Sequence, residues 1–419
     1  MTAPPVSDRQ VSELSLTGAP GASLPPGGLD RPTPVRTGPR STHRPRVTPL
    51  PWAVTTYSGV VDRLRGAAVA QPRPERKRPG SIRQVAELAG VSIGTVSNVM
   101  NSPHLVAEAT RLRVEEAIRA TGFVRNAAAR QLRGIPSTVV GCVLLDLSNT
   151  FFAEVARGIE DRLAEDGCVA VLCSTDVKQE RERHFLRILQ ETRVRGVIIN
   201  PVDPDGGDFT ELPDRGTPVV LLDNRSDHRQ LCAVTVDNVA GGMASCGHLL
   251  DLGHRRIALL CADADVRSVM DRAEGVRKAV LAGGLDPDRV LFEIPLDPPR
   301  NRGSADAAIE QAVTDPEPPT AFLCFNDTVA ATLLAGLHRR GVAVPGDVSV
   351  IGYDDVTFAG ALFPPLTTVR QPKYEIGRAA AELLLSESEP DHLHREVVFA
   401  PELVVRQSTG APPEHPRAL

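Results

Sequence analysis

Residues 82–101 read Ile82-Arg-Gln-Val-Ala-Glu-Leu-Ala-Gly-Val-Ser-Ile-Gly-Thr-Val-Ser-Asn-Val-Met-Asn101. Ile82, Val85, Ala86 and Ala89 fall on one helical face, and Ser81 with Gln84 makes a capping-box pattern before it. Gly90 stops this helix, Ser92 is placed to cap the next, and Val96, Val99 and Met100 supply the second helix's apolar side. Two short helices joined through Ala89-Gly90-Val91-Ser92 describe a helix-turn-helix, in which glycine permits the tight turn and Val91 plugs the angle. Such a unit lays its second helix in the DNA major groove, N-terminal residues toward the base edges. The same pattern also fits an ordinary αα-corner, so the flanking sequence has to decide.

Working outward, a third helix carries Leu112, Val114, Ala117 and Ile118 and ends at Gly122. On the other side, residues 1–78 hold 13 of the 36 prolines and show no apolar periodicity. A disordered tail is expected there, with Trp52 exposed, because so little apolar surface cannot offset chain entropy. Its last stretch, Arg73-Pro-Glu-Arg-Lys-Arg78, reads as a solvated basic linker or as a source of extra phosphate contacts. Charge is unevenly placed. Residues 1–80 carry 12 Lys and Arg against 5 Asp and Glu, residues 81–135 carry 7 against 4, and the remainder 28 against 43. A basic front and an acidic body let the front touch a polyanion while the body is held off it.

The seven cysteines form no C-x-x-C pair, and most sit in apolar runs such as Gly141-Cys-Val-Leu-Leu145. Buried thiols in a reducing compartment are expected, with no disulfide, metal or cofactor. The opening Met1-Thr-Ala-Pro-Pro5 has no basic-then-apolar signal pattern, and no apolar run approaches the ~20 residues of a membrane helix. A soluble cytoplasmic protein with no membrane association is expected.

From Thr138 onward, apolar runs alternate with amphipathic segments. Val139–Leu145, Val169–Cys173, Gly196–Asn200, Pro218–Leu222, Arg256–Leu260, Thr320–Phe325 and Val348–Gly352 read as buried parallel strands. Helical stretches lie between them, so one or two doubly wound sheets are expected. No P-loop, no G-x-G-x-x-G opening a helix and no G-x-S-x-G elbow is present, which argues against the common α/β enzymes. His248 and His254 are six apart rather than four, an unpromising metal pair.

The segment 82–101 strongly resembles the headpiece of the lactose-repressor/galactose-repressor (LacI/GalR) family. So do the third helix, Thr110-Arg-Leu-Arg-Val-Glu-Glu-Ala-Ile118, then Gly122-Phe123 and Asn126-Ala-Ala-Ala-Arg-Gln-Leu132. The resemblance runs to Val404-Val-Arg-Gln-Ser-Thr409, in the family's order and spacing. It implies a small all-α helix-turn-helix headpiece at 79–125, a hinge helix and linker at 126–137, and an effector-binding core at 138–409. That core is implied to be an α/β pair of doubly wound parallel-sheet subdomains, like type I periplasmic binding proteins. The first would take 138–237 and 373–400, the second 238–369 and 401–409, leaving 410–419 as a tail.

By the resemblance, Ile93, Gly94 and Asn98 match base-reading positions; Thr95, Ser97 and Asn101 match positions that touch phosphates or support the helix. Ile93 can pack on a thymine methyl, and Asn98 can offer a bidentate amide to adenine. Gly94 reads nothing itself but lets the backbone approach closely. Asn126 would cap the hinge helix, Ala129 would lie on its small face, and Leu132 matches a leucine that wedges between base steps. Two departures stand out. Ala107 replaces the serine that usually caps helix three, and Arg125 replaces a proline before the hinge asparagine.

Open α/β sheets bind ligands beyond their strand C-termini. Phe151, Phe152, Asn200, Asp223, Ser268, Arg272, Asn326 and Asp354 follow strands or fit the Ser-x-x-x-Arg-x-x-Gly275 pattern, and are expected to bind an effector. Arg272 and Asp354 would clamp hydroxyls, Asn326 and Asp223 would assist, and Phe151 or Phe152 would stack on an apolar ring face. Other readings stay open: Asn149 and Asp223 as helix caps, Phe151 as core, Arg272 with Asp354 as a structural ion pair. Asp237-Asn238 reads first as a helix cap at a crossover. The expectation is a non-enzymatic regulator, a repressor, that binds double-stranded pseudo-palindromic operator DNA as a homodimer and responds to a small molecule, foremost a sugar. A nucleobase effector, no effector, or a sugar-binding protein without a regulatory role are the alternatives. No C-terminal heptad is seen, so a dimer is favoured over a tetramer.

Overall fold

A computed structural model describes residues 80–124, 136–203, 206–225, 231–262, 266–296, 301–314, 317–389 and 391–414. The expectations placed on residues 1–78 and on Arg125, Asn126, Ala129 and Leu132 lie outside them.

The headpiece has three helices, α1 (Ile82–Ala89), α2 (Ile93–Asn101) and α3 (Glu108–Thr121). Ser81 Oγ accepts from the Gln84 amide at 3.3 Å while Gln84 Oε1 accepts from the Ser81 amide at 2.8 Å, so the capping box is formed. Ser92 Oγ accepts from the Thr95 amide at 3.0 Å and starts α2. Gly90 adopts φ +62°, a left-handed conformation that ends α1 and that a β-carbon would strain. Val85, Ala86, Ala89, Val96, Val99, Val114 and Ala117 form the buried centre, with Val91 packed against it. Leu112, expected on the apolar side of α3, is instead 51% exposed. Ala107 makes no side-chain cap for α3.

Then come β1 (Val139–Leu144), α4 (Thr150–Glu165), β2 (Val169–Ser174), α5 (Gln179–Glu191), β3 (Gly196–Ile199), β4 (Val219–Leu222), β5 (Cys232–Val236) and α6 (Asn238–Asp251). They are followed by β6 (Ile257–Ala262), α7 (Arg267–Ala282), β7 (Leu291–Leu296), α8 (Asn301–Thr314), β8 (Ala321–Cys324), α9 (Asp327–Arg339) and β9 (Ser349–Ile351). The chain closes with β10 (Thr368–Arg370), α10 (Lys373–Ser386), β11 (Glu396–Phe399) and β12 (Glu402–Val404). Two parallel sheets result, β11-β5-β4-β3-β1-β2 and β7-β6-β8-β9, beside an antiparallel β10-β12 ribbon. The chain passes from the first lobe to the second after β5, returns before α10, and crosses again between β11 and β12.

The apolar runs read from sequence are strands, with one correction. β2 is an outer strand, and Val169, Val171 and Leu172 are 56%, 42% and 37% exposed rather than buried. Five strands went unread, β5, β7, β10, β11 and β12. β5 begins only ten residues after β4 ends, which leaves little room for the helix the alternation expects. β7 and β11 lie at sheet edges, where burial is partial and Pro295 is tolerated within β7.

Each lobe contains a close helix crossing made by glycine. A β-carbon on Gly158 of α4 would overlap the Tyr374 carbonyl of α10, and one on Gly377 would overlap the Val155 carbonyl. Gly242 of α6 and Gly275 of α7 meet the Arg272 and Val239 carbonyls in the same way. The C-terminal motif is a strap on the second lobe. Ser408 Oγ accepts from the Thr367 amide at 2.8 Å and donates to the Val350 carbonyl at 2.6 Å. Buried His254 lies 2.9 Å from the Gly410 carbonyl and 2.8 Å from Thr320 Oγ1. No helix among the described residues is long and apolar enough to cross a membrane.

Candidate functional site

On the headpiece, α2 turns its apolar positions inward and leaves Ile93 (44% exposed), Gly94, Asn98 and Asn101 facing outward. Thr95 and Ser97 are half-buried and engaged within the helix. Thr95 Oγ1 lies 2.9 Å from Ser92 Oγ, and Ser97 Oγ accepts from Asn101 Nδ2 at 3.2 Å. The outward set is polar but uncharged, apart from an isoleucine that has no partner in the headpiece core. Such a face suits hydrogen bonds to base edges and contact with a methyl group.

The second site is a cleft between the lobes. Phe151, Phe152, Asp223, Ser268, Arg272, Asn326 and Asp354, all singled out from the sequence, line it. Asn200 does not. Its backbone amide donates to the Val143 carbonyl at 2.9 Å, extending the β3–β1 ladder, and its side chain is buried with Nδ2 unpartnered.

Arg272 is the most constrained group. Its Nε donates to Asn238 Oδ1 at 2.9 Å, its Nη1 donates to the Phe325 carbonyl at 2.7 Å, and its guanidinium lies 3.7 Å from the Tyr353 ring centroid. Asn238 Nδ2 in turn donates to Asp223 Oδ1 at 3.3 Å, and Asp223 also hydrogen-bonds Ser268. Nη2 of Arg272 is 3.9 Å from Asp354 Oδ1, a looser contact than the clamp expected from sequence. Asp354 is held more tightly by Gln371 Nε2, at 2.7 Å, and by Asn149 Nδ2, at 3.3 Å. Asn149 also caps α4 through its Oδ1, accepting from the Phe151 amide at 3.0 Å, so capping and bridging are one residue's work.

Asp223 and Asp354 sit at φ +49° and +112°. Non-glycine residues are rare there, and such strain persists where surrounding contacts over-determine a site. Burial pushes the Asp354 carboxyl up to about 6, against the pull of Arg272, Asn149 and Lys373. Burial raises Asp223 too, again opposed by Arg272. Burial rather than a want of partners raises both acids, since Asp354 accepts from Gln371 and Asn149 and Asp223 is bonded by Asn238 and Ser268; a carboxylate has further acceptor sites for a ligand in the cleft. Phe151 and Phe152 pack edge to face, centroids 5.1 Å apart, and give the cleft an aromatic wall. Asn326 caps α9 through the Val329 amide at 2.9 Å while lining the cleft.

Sequence reading missed Tyr353, Gln371 and the bridging role of Asn238. A signal was present for the first, because Tyr353 immediately precedes Asp354 at a strand end. Gln371 arrives on the returning chain, which only the fold brings close.

Residues 81–126 match the family described as bacterial regulatory proteins, lacI family, and residues 246–409 match the periplasmic binding protein-like domain. The chain is 34% identical over 340 residues to an HTH-type transcriptional repressor PurR of Aliivibrio fischeri, spanning 79% of this chain and 98% of that one. Among solved structures, it resembles a lac repressor dimer bound to operator and the anti-inducer ONPF. The TM-score is 0.70 with 28% identity, covering 80% of this chain and all of that one. It also resembles a LacI family regulator from Enterococcus faecium with bound ribose. There the TM-score is 0.60 with 30% identity, over 65% of this chain and 99% of that one.

Proposed function

Because this chain belongs to the lacI family of DNA-binding transcriptional repressors, we propose that a hydroxyl-rich ring, foremost a sugar, occupies its cleft and sets its operator affinity. The observation that carries this reading is the meeting of Asp223, Asp354 and Asn149 with Arg272 beside the Phe151–Phe152 wall. Carboxylates with acceptor sites to spare take hydrogen bonds from hydroxyls, an aromatic face takes the apolar side of a ring, and Arg272 donates to a ring or hydroxyl oxygen. Ribose bound to a structural neighbour supports the same choice.

The repressor acts as a cytoplasmic homodimer on a pseudo-palindromic operator. The exposed apolar side chains of outer strand β2 support self-association, since such a strand calls for a cover. Two copies of α2 read half-sites through Ile93 and Asn98, and Leu132 wedges into the minor groove between them. Ligand changes the angle between the lobes, and the two states bind operator with different affinity, a coupling of ~1–3 kcal/mol in typical cases.

A second reading has its own support. The relatives are named PurR, which favours a purine base in the same aromatic cleft. Calorimetric titration of the full chain with a panel of pentoses, hexoses and purine bases separates the two. Micromolar binding of a sugar that is lost in Arg272→Ala and Asp354→Ala supports the first; tight binding of purines alone replaces it with the second. For the DNA side, genomic fragments retained by the wild type are to be retested with Asn98→Ala combined with Leu132→Ala. Undiminished retention by that variant defeats the proposed mode of reading.

A further inference from the structure

We propose that Cys232, Glu387, His392 and His394 form a four-ligand site for a borderline divalent transition-metal ion, zinc foremost, at the end of the first sheet opposite the ligand cleft. Cys232 opens β5, and the other three lie on the connection from α10 to β11, the strand paired with β5. One ligand atom from each residue lies within 4.8 Å of every other. Cys232 Sγ is 3.2 Å from His392 Nε2 and 3.9 Å from His394 Nδ1; Glu387 Oε1 is 3.2 and 3.3 Å from those same nitrogens. Around a tetrahedral zinc with bonds of roughly 2.0–2.3 Å, ligand atoms sit roughly 3.3–3.8 Å apart. The cluster is within a small contraction of that geometry.

Three further details favour an ion over a surface ion pair. Glu387 Oε1 is buried and accepts no well-directed hydrogen bond, although two imidazole nitrogens stand beside it. Each imidazole nitrogen faces both Cys232 Sγ and Glu387 Oε1 rather than a single partner, so the four groups converge. Ser386 Oγ donates its proton to the Leu383 carbonyl at 2.8 Å and lies 3.2 Å from His392 Nδ1. Nδ1 therefore carries the hydrogen and donates to Ser386 Oγ, leaving the Nε2 lone pair toward the cluster, as in the outer shell of metal sites. Cys232 is fully buried, but a surface hollow reaches Glu387 and His394 and gives an ion access.

The donor set, one thiolate, two imidazoles and one carboxylate, suits zinc or its neighbours rather than magnesium or calcium. Four protein ligands leave no open position, so the site holds or senses rather than catalyses. The expectation of no metal rested on the lack of paired cysteines, whereas these four side chains come from two segments far apart in sequence. Its position has meaning for the whole chain. Strands β1, β3, β4 and β5 run parallel, so Cys232 lies at the same end of the sheet as Val139, where the chain arrives from the headpiece. Three strand spacings separate β5 from β1, roughly 14 Å.

The test uses purified, untagged, reduced full-length protein titrated with cobalt(II) alone, then zinc. One equivalent of cobalt per chain is expected to give a thiolate-to-cobalt charge-transfer band and the intense visible bands of four-coordination, and zinc is expected to displace it. Cys232→Ser removes the charge-transfer band. His392→Gln and the exposed His394→Gln each weaken zinc at least tenfold while the circular dichroism stays that of the wild type. Absence of the band at one equivalent, or equal zinc affinity in the wild type and the His392→Gln/His394→Gln pair, overturns the proposal.

Discussion

The Arg272 guanidinium lies over the Tyr353 ring, its Cζ 3.7 Å from the ring centroid, with its nitrogens tied to Asn238 and the Phe325 carbonyl. Stacking and both hydrogen bonds together aim one charge at the cleft. Lysine has no planar fork to stack and bond at once. Arg272→Lys is therefore expected to weaken effector binding at least about tenfold, given ~1.5–3 kcal/mol for a hydrogen bond to a charged group. Tyr353→Leu removes a stacking term of ~2 kcal/mol in a desolvated setting. Tyr353→Phe keeps the ring under the guanidinium and is expected to retain most of the affinity that Tyr353→Leu loses. Calorimetry with the identified effector checks all three.

Asp354 gives a pH signature. Its carboxyl stands at about 6 in the folded protein against an ordinary 3.8. The native state thus holds this proton more tightly than the unfolded chain. The resulting stability is fully present below about pH 4 and is lost as pH rises to about 6. Binding of hydroxyl donors runs the other way, since the ionised acid accepts them better. Effector affinity is expected to tighten by about tenfold from pH 5 to pH 7, and Asp354→Asn to flatten that profile. A flat wild-type profile would show that Asp354 does not meet the ligand.

The glycine crossings predict where small changes are costly. Gly377→Ala and Gly275→Ala each put a methyl group into a neighbouring helix carbonyl. Overpacking of this kind costs ~1–3 kcal/mol, here against rigid backbone. Thermal unfolding should show a lower midpoint for both, whereas Gly247→Ala, where a β-carbon meets nothing, should not lower it.

Ala107 invites the opposite result. The first turn of α3 has no side-chain cap, and the Ala107 carbonyl already accepts from the Thr110 and Arg111 amides. Ala107→Ser supplies the missing acceptor for an orphan amide, worth ~1 kcal/mol. Slower hydrogen exchange of the α3 amides in the full chain is the readout; an unchanged rate would mean the cap does not form.

Much of this was legible in the sequence because the signals were local. Ser81 with Gln84, and Gly90 with Ser92, set the headpiece helices within a few residues of themselves. Ser268 and Arg272, four apart on α7, declared a shared face. What escaped was carried by the return of the chain. Gln371 reaches Asp354, and His392 reaches Cys232, only because α10 and β11 come back to the first lobe. Asn200 misled for a related reason: it sits one residue past a strand, but the ladder continues through it. Burial of β2 was misjudged because an apolar run does not say whether its strand is central or outermost.

The interleaved path of the chain has a consequence for biosynthesis. α1 to α3 occupy one unbroken stretch and need nothing that follows. The first sheet, by contrast, waits for β11, and the second lobe is not strapped until Ser408 and Gly410 arrive. On the ribosome, the headpiece is finished long before either lobe of the core is complete, and a stop within the core leaves a whole headpiece on an unfinished body.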